Sequence, residues 1–176
     1  MIALLTGTAA FGLLVLFEYQ KCRNVRQNIC QANPWFLLGT GLLLGAFLME
    51  ALGSEVEGGV RLAAGVIVLV VGLVIYGSVL GIAVGPKQQG YTKDLTGTKV
   101  SRKGLYRHMR HPGVWSFLLC ALGFGMIFSE GMGPALWFAF LNFIYTWLQD
   151  RYFFPVYLAG YDEYKKEVPF LFLRLK

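Results

Sequence analysis

KVSRKGLYRHMRHPGVWSF, residues 99–117, is the stretch whose reading decides what kind of protein this is. A dense basic segment runs straight into an apolar span here, and both histidines of the chain, His108 and His111, lie inside it. Pro112 follows His111 and opens the apolar run. Proline suits the first turn of a helix, because the amide it lacks would have no intrahelical partner there. A helix is therefore predicted to begin at Pro112. The free amides of such a turn, including that of Gly113, favour an anionic group together with the helix dipole. Arg107, Arg110 and His111 would surround that group at a membrane surface. By residue type alone a histidine among arginines reads as a surface residue, so its position at the mouth of an apolar span is what makes it a candidate.

Outward from this junction, five apolar spans can be drawn, at 2–19, 35–52, 60–84, 113–129 and 134–154. Each is close to the ~20 residues that cross a bilayer as a helix. The composition agrees: 56% of the 176 residues are hydrophobic, 15% are charged, and the mean hydropathy is +0.54. A soluble domain carries about 25% charged residues. The chain is read as a single membrane-embedded domain over residues 1–176, an all-α integral membrane protein. Its expected form is a bundle of five transmembrane helices with a C-terminal cytosolic helix or collar. The N-terminus is apolar from Met1 and lacks a basic n-region and a small-residue cleavage site, which predicts a retained helix and not a signal peptide.

The charges between the spans set the orientation. Segment 20–34 carries Lys21, Arg23 and Arg26 and no acid, whereas 53–59 carries Glu55 and Glu57 and no base. Segment 85–112 sets Lys87, Lys93, Lys99, Arg102, Lys103, Arg107 and Arg110 against Asp94. The short turn 130–133 holds Glu130, and the region from Asp150 mixes Arg151, Lys165, Lys166, Arg174 and Lys176 with acids. Bases that stay in the cytoplasm produce such an alternation. The N-terminus is expected outside, and the junction and C-terminus in the cytosol. The formal charge of +6 then records topology and predicts no nucleic-acid partner. Trp35, Trp115, Trp137 and Trp147 fall near span ends, where an interfacial aromatic belt would place them.

Cys22, Cys30 and Cys120 show no metal spacing and are read as packing or inert thiols, with no metal expected. Gly41 and Gly45, and Gly77, Gly81 and Gly85, repeat at four-residue spacing, a pattern that lets helices approach closely in lipid, here within the bundle. Glu18, near the inner end of the first span, reads either as functional or as an acid that reaches water. The fifth span ends in Asp150-Arg151, an adjacent acid and base that either neutralise each other or mark the wall of a site. Pro155 should end or kink the helix just below them. The aromatic, charged segment after Pro155 is expected to fold back against the junction.

The order of residues adds a resemblance. Gly104-x-Tyr106-Arg107-x-x-Arg110-His111-Pro112 resembles the G-x-Y-R-x-x-R-H-P signature of the isoprenylcysteine carboxyl methyltransferase and phospholipid methyltransferase superfamily. Tyr161-x-x-Tyr164-x-x-x-Val168-Pro169 is similar to the tail motif of the same superfamily, and the resemblance covers roughly residues 80–172. Gly113-Val114-Trp115-Ser116 stands where the family has x-Y-x-G, and Gln149-Asp150 where it has two glutamates. The resemblance implies a membrane methyltransferase that uses S-adenosylmethionine from the cytosol on a lipidic or apolar acceptor arriving through the bilayer. Tyr106, Arg107, Arg110, His111, Pro112, Gly113, Tyr161 and Tyr164 are then expected to bind the cofactor, and Asp150 and Arg151 to face the acceptor. The alternatives are an NADPH-dependent membrane reductase of the sterol-reductase type and a non-catalytic binding protein of the same fold.

Overall fold

The structure, a computed structural model, describes residues 1–29, 31, 33–83 and 100–172. Cys30, Gly85, Lys87, Lys93, Asp94, Lys99, Arg174 and Lys176 lie outside the described residues, as do the surroundings of Gly81. Five long helices follow one another: α1 (Ile2–Gln27), α2 (Trp35–Gly53), α3 (Gly59–Ala83), α4 (Pro112–Ile127) and α5 (Met132–Leu148). Two short ones, α6 (Phe154–Tyr157) and α7 (Tyr161–Glu167), close the described chain. Among the described residues there is no strand, only a single bridge between Val56 and Phe128.

The helices form where the sequence leaves no competing choice. Their apolar residues run on all sides, and Pro112 and Pro155 sit in first turns, the one opening α4 and the other near the start of α6. Asn28 ends α1 in the left-handed conformation at φ 50°, and the amide of Ile29 returns to the carbonyl of Asn24 at 3.0 Å. Three helices, α1, α2 and α3, are long and apolar enough to cross a membrane. α4, with 16 residues, and α5, with 17, are shorter.

Helices adjacent in sequence pack together, α1 on α2, α3 on α4 and α4 on α5. α1 also lies on α5 and runs parallel to it, with Thr8 against Trp137 and Glu18 against Gln149. Phe11 and Leu14 of α1, Ala46 of α2 and Phe138 of α5 form the core. Phe47 joins them, its ring 5.2 Å from Phe138 and 4.9 Å from Phe124. Leu37, Leu44 and Leu52 on α2 and Ile67, Leu73 and Val74 on α3 are exposed, an apolar exterior suited to lipid.

Among the described residues, the glycines that bring helices together are not Gly41, Gly45 or Gly77 of the four-residue pattern. A Cβ on Gly123 would come within 2.5 Å of the Leu69 amide nitrogen, and one on Gly72 within 2.7 Å of that of Cys120. These seat α4 on α3. A Cβ on Gly41, Gly45 or Gly77 would meet nothing within 4 Å.

The loops gather by charge at opposite ends. The α2–α3 loop pairs with the turn after α4 through Glu57 N–H to Ile127 O, 2.8 Å, and Ser129 N–H to Glu55 O, 3.0 Å. At the other end, the last turns of α1, the junction 100–112 and the chain after α5 lie together. There α5 opens into a π-turn over Gln149–Phe153, with the Phe154 amide reaching back five residues to the Gln149 carbonyl. Pro155 has no amide to return to Arg151 and its ring would strike that carbonyl, so the regular register cannot continue. The departure thus begins at Gln149, and Asp150-Arg151 sits within the irregular turn instead of at the end of a regular helix.

Candidate functional site

Pro112 opens α4 and His111 caps it, so the junction turns sharply from the 3₁₀ turn at 104–107 into the helix. Gly160, at φ 78° in the left-handed region that favours glycine, turns the chain into α7 and back over this junction. The Tyr164 hydroxyl donates to the Tyr106 carbonyl at 2.5 Å, and the Arg110 amide to the Pro169 carbonyl at 3.0 Å. The Trp115 indole reaches the Leu171 carbonyl at 2.8 Å. An Arg102–Glu167 ion pair lies on the rim.

These contacts bury a charged centre around Asp150. Its Oδ1 accepts from the Tyr161 hydroxyl at 2.6 Å and from His111 Nε2 at 3.0 Å. Its Oδ2 lies 2.9 Å from Lys165 Nζ and 3.3 Å from an Arg110 terminal nitrogen. Arg110 Nε is 2.8 Å from Oδ1, yet its N–H finds no aligned acceptor. The geometry explains this: Oδ1 has two lone pairs, already met by Tyr161 and His111, so Arg110 contributes attraction there without a directed bond. Its other end is anchored on the carbonyls of Lys165, 2.8 Å, and Val168, 3.1 Å. Asp150, Arg110 and His111 are 6%, 9% and 6% exposed, so the pairing is essentially dry.

Proton positions follow from this count. Tyr161 has one proton and spends it on Asp150, so His111 must carry its own on Nε2 to bond the same oxygen. Burial lowers the His111 pKa, against the opposing hydrogen bond and charge of Asp150, and so favours the neutral ring. Burial, reinforced by the bond to Asp150, raises that of Tyr161, which remains a donor. The imidazole is held between Phe154, stacked at 5.5 Å, and the edge of Phe170 at 5.0 Å.

The structure therefore brings together Arg110, His111, Asp150 and Tyr161, with Tyr164 bracing the backbone behind them. Arg107 and His108 are exposed, and Tyr106 contributes its carbonyl. Arg151 is exposed and takes no part, so Asp150 finds its cations on other segments. Lys165 was not legible as a partner, since its signal is only a lysine three residues before Val168 in a segment with several charges.

Glu18 forms a second buried centre and does not reach water, being 2% exposed. Its Oε1 accepts from Gln149 at 2.7 Å and from the Tyr145 hydroxyl at 3.1 Å, and its Oε2 from the Tyr157 hydroxyl at 2.8 Å. Lys21 lies 3.8 Å over the Tyr157 ring. Consecutive residues of the π-turn, Gln149 and Asp150, thus point into two different carboxylate networks. The one sequence signal was the polar spacing of Tyr145 and Gln149 along an apolar helix. Among the described residues no group of histidine, cysteine or carboxylate side chains is placed to hold a metal. Comparison of the chain with family models, with curated proteins and with solved structures found no match.

Proposed function

We propose that this protein is an S-adenosylmethionine-dependent methyltransferase of the membrane face, acting on a lipidic or apolar acceptor. One observation carries the reading. The two segments that resemble the methyltransferase signature, one around Arg110-His111-Pro112 and one around Tyr161 and Tyr164, close on each other through a single buried centre at Asp150. The proposed fold is five membrane crossings capped by the segment after Pro155. The gathering of acidic loops at one end and basic ones at the other supports it.

The residues present fit a cofactor with an anionic part. A Cβ on Gly113 would meet nothing within 4 Å, which leaves open space at the first turn of α4. Arg110 Nε is buried beside this turn without an aligned acceptor, and the Lys165 side chain remains 30% exposed. Arg107 adds an exposed cation at the entrance. The cofactor, when bound, supplies a methyl already activated on a sulfonium. The chain's own work is to hold the anionic end at Gly113, Arg107 and Lys165, to keep His111 fixed and neutral, and to exclude water. Tyr161 and Tyr164 serve by locking the tail over the junction, their hydroxyls being committed to Asp150 and Tyr106.

A second reading is favoured by the buried ion pair of Arg110 with Asp150: a binding protein in which this centre is a structural lock. Titration of the detergent-purified protein with S-adenosylmethionine and with NADPH separates the readings. The methyltransferase reading expects saturable binding of the first, weakened about tenfold to a hundredfold in Arg107→Ala by loss of one charge-assisted contact. Binding of NADPH alone would identify a reductase, and binding of neither would leave the lock.

A further inference from the structure

A cleft of about 370 Å³ opens on the far side of the π-turn, between it and the last turns of α1. Tyr19, Cys22, Arg23, Arg26, Gln27, Tyr152 and Phe153 line it, two guanidinium groups and no carboxylate. Among the described residues no ion pair joins either arginine to an acid. The Arg23 Nε–H bonds Gln27 Oε1 at 3.2 Å, which holds the guanidinium against the helix. Tyr19 and Tyr152 are exposed, 61% and 54%, and form the outer walls.

The depth of the cleft follows from the length of α1. Its 26 residues span ~39 Å at ~1.5 Å per residue, against a hydrocarbon core of ~30 Å. Counting from its apolar start, the residues from about Tyr19 onward emerge at the level of the lipid headgroups. Arginine pairs match phosphate oxygens two at a time, and tyrosine rings suit the boundary between acyl chains and headgroups.

We propose that this cleft is a binding site for a phosphate-bearing anion, and that its source is the headgroup of an anionic phospholipid whose phosphate sits between Arg23 and Arg26. The site is separate from the Asp150 centre, though it shares the π-turn: the Cys22 thiol donates to the Phe153 carbonyl at 3.6 Å. The inference does not rest on the methyltransferase reading, and its failure would leave that reading unchanged.

The test uses the full chain in detergent, with phosphatidylglycerol, phosphatidylcholine or inorganic phosphate added at matched ionic strength. Retained lipid is counted by native mass spectrometry and stabilisation is read by thermal unfolding. Wild type should retain phosphatidylglycerol over phosphatidylcholine and be stabilised by it. Arg23→Gln/Arg26→Gln should lose about tenfold or more of that preference. Lys103→Gln/Lys166→Gln, which removes two exposed charges from the same end of the molecule, should keep it. Equal loss in both double variants would mean a diffuse positive field and overturn the proposal, as would a wild type indifferent to headgroup charge. Inorganic phosphate stabilising wild type as well as the lipid does, with the arginines still required, would overturn the lipid as source. If the arginine double variant is not recovered folded, each single variant should lose part of the preference, and wild-type behaviour in both would overturn the site.

Discussion

Asp150 holds four donors from two separate segments, Arg110 and His111 of the junction and Tyr161 and Lys165 of α7, so its removal strands more than one partner. Asp150→Ala leaves Arg110 buried and uncompensated, and is expected to cost about 3–5 kcal/mol in unfolding measured in detergent. Asp150→Leu combined with Arg110→Met should recover much of that loss, since two apolar side chains leave no buried charge behind. A double variant as unstable as Asp150→Ala would mean the carboxylate matters through Tyr161 and Lys165 instead. His111 makes a pH prediction whose sign is fixed by burial. Its pKa in the folded protein lies below the ~6.5 of the unfolded chain, with Asp150, Arg110, Lys165 and Tyr161 facing it. Between the two values the unfolded chain binds a proton that the folded one does not, so this term raises stability with pH and removes it on acidification below about 6.5. Thermal unfolding across about pH 5–7 should show that slope in wild type, and His111→Gln should flatten it. An identical slope in the variant would assign it to other groups.

At the scale of helices, the α3–α4 seam depends on backbones that touch. Gly123→Ala places a methyl against the Leu69 backbone, which cannot step aside as a side chain would. A loss of at least about 1–3 kcal/mol is expected, read by denaturant titration in detergent. Gly41→Ala meets open space and should be neutral or stabilising by up to about 1 kcal/mol, through helix propensity alone. Equal effects at the two positions would refute this packing. The π-turn works at the same scale. By rotating Gln149 and Asp150 out of regular register it gives one residue to the Glu18 network and the next to the Arg110–His111 network.

For the whole molecule, the proposed topology of five crossings has a direct check. With Cys22, Cys30 and Cys120 replaced, Lys103→Cys should react with an impermeant maleimide only from the cytosolic side and Glu55→Cys only from the outside. External labelling at position 103 would overturn the orientation. The two residues belong to loop systems at opposite ends of the bundle, so their labelling should never coincide.

The apolar helices, the start of α4 at Pro112 and the break near Pro155 were legible in the chain, because each follows from local chemistry. Hydropathy sets the spans, and a ring without an amide sets where a helix begins or loses its register. The opposed signs of the loops were legible for the same reason. What partners Asp150 was not: Arg151 is adjacent in sequence, yet the turn carries it to the surface, while Arg110 and Lys165 arrive from 40 and 15 residues away. Glu18 likewise finds Gln149 across 131 positions, and among the described residues Gly72 and Gly123 make close backbone approaches where Gly41, Gly45 and Gly77 make none. Pairings of this kind are fixed by which helix faces meet and how far each is rotated, a property of the packed bundle that no local spacing encodes.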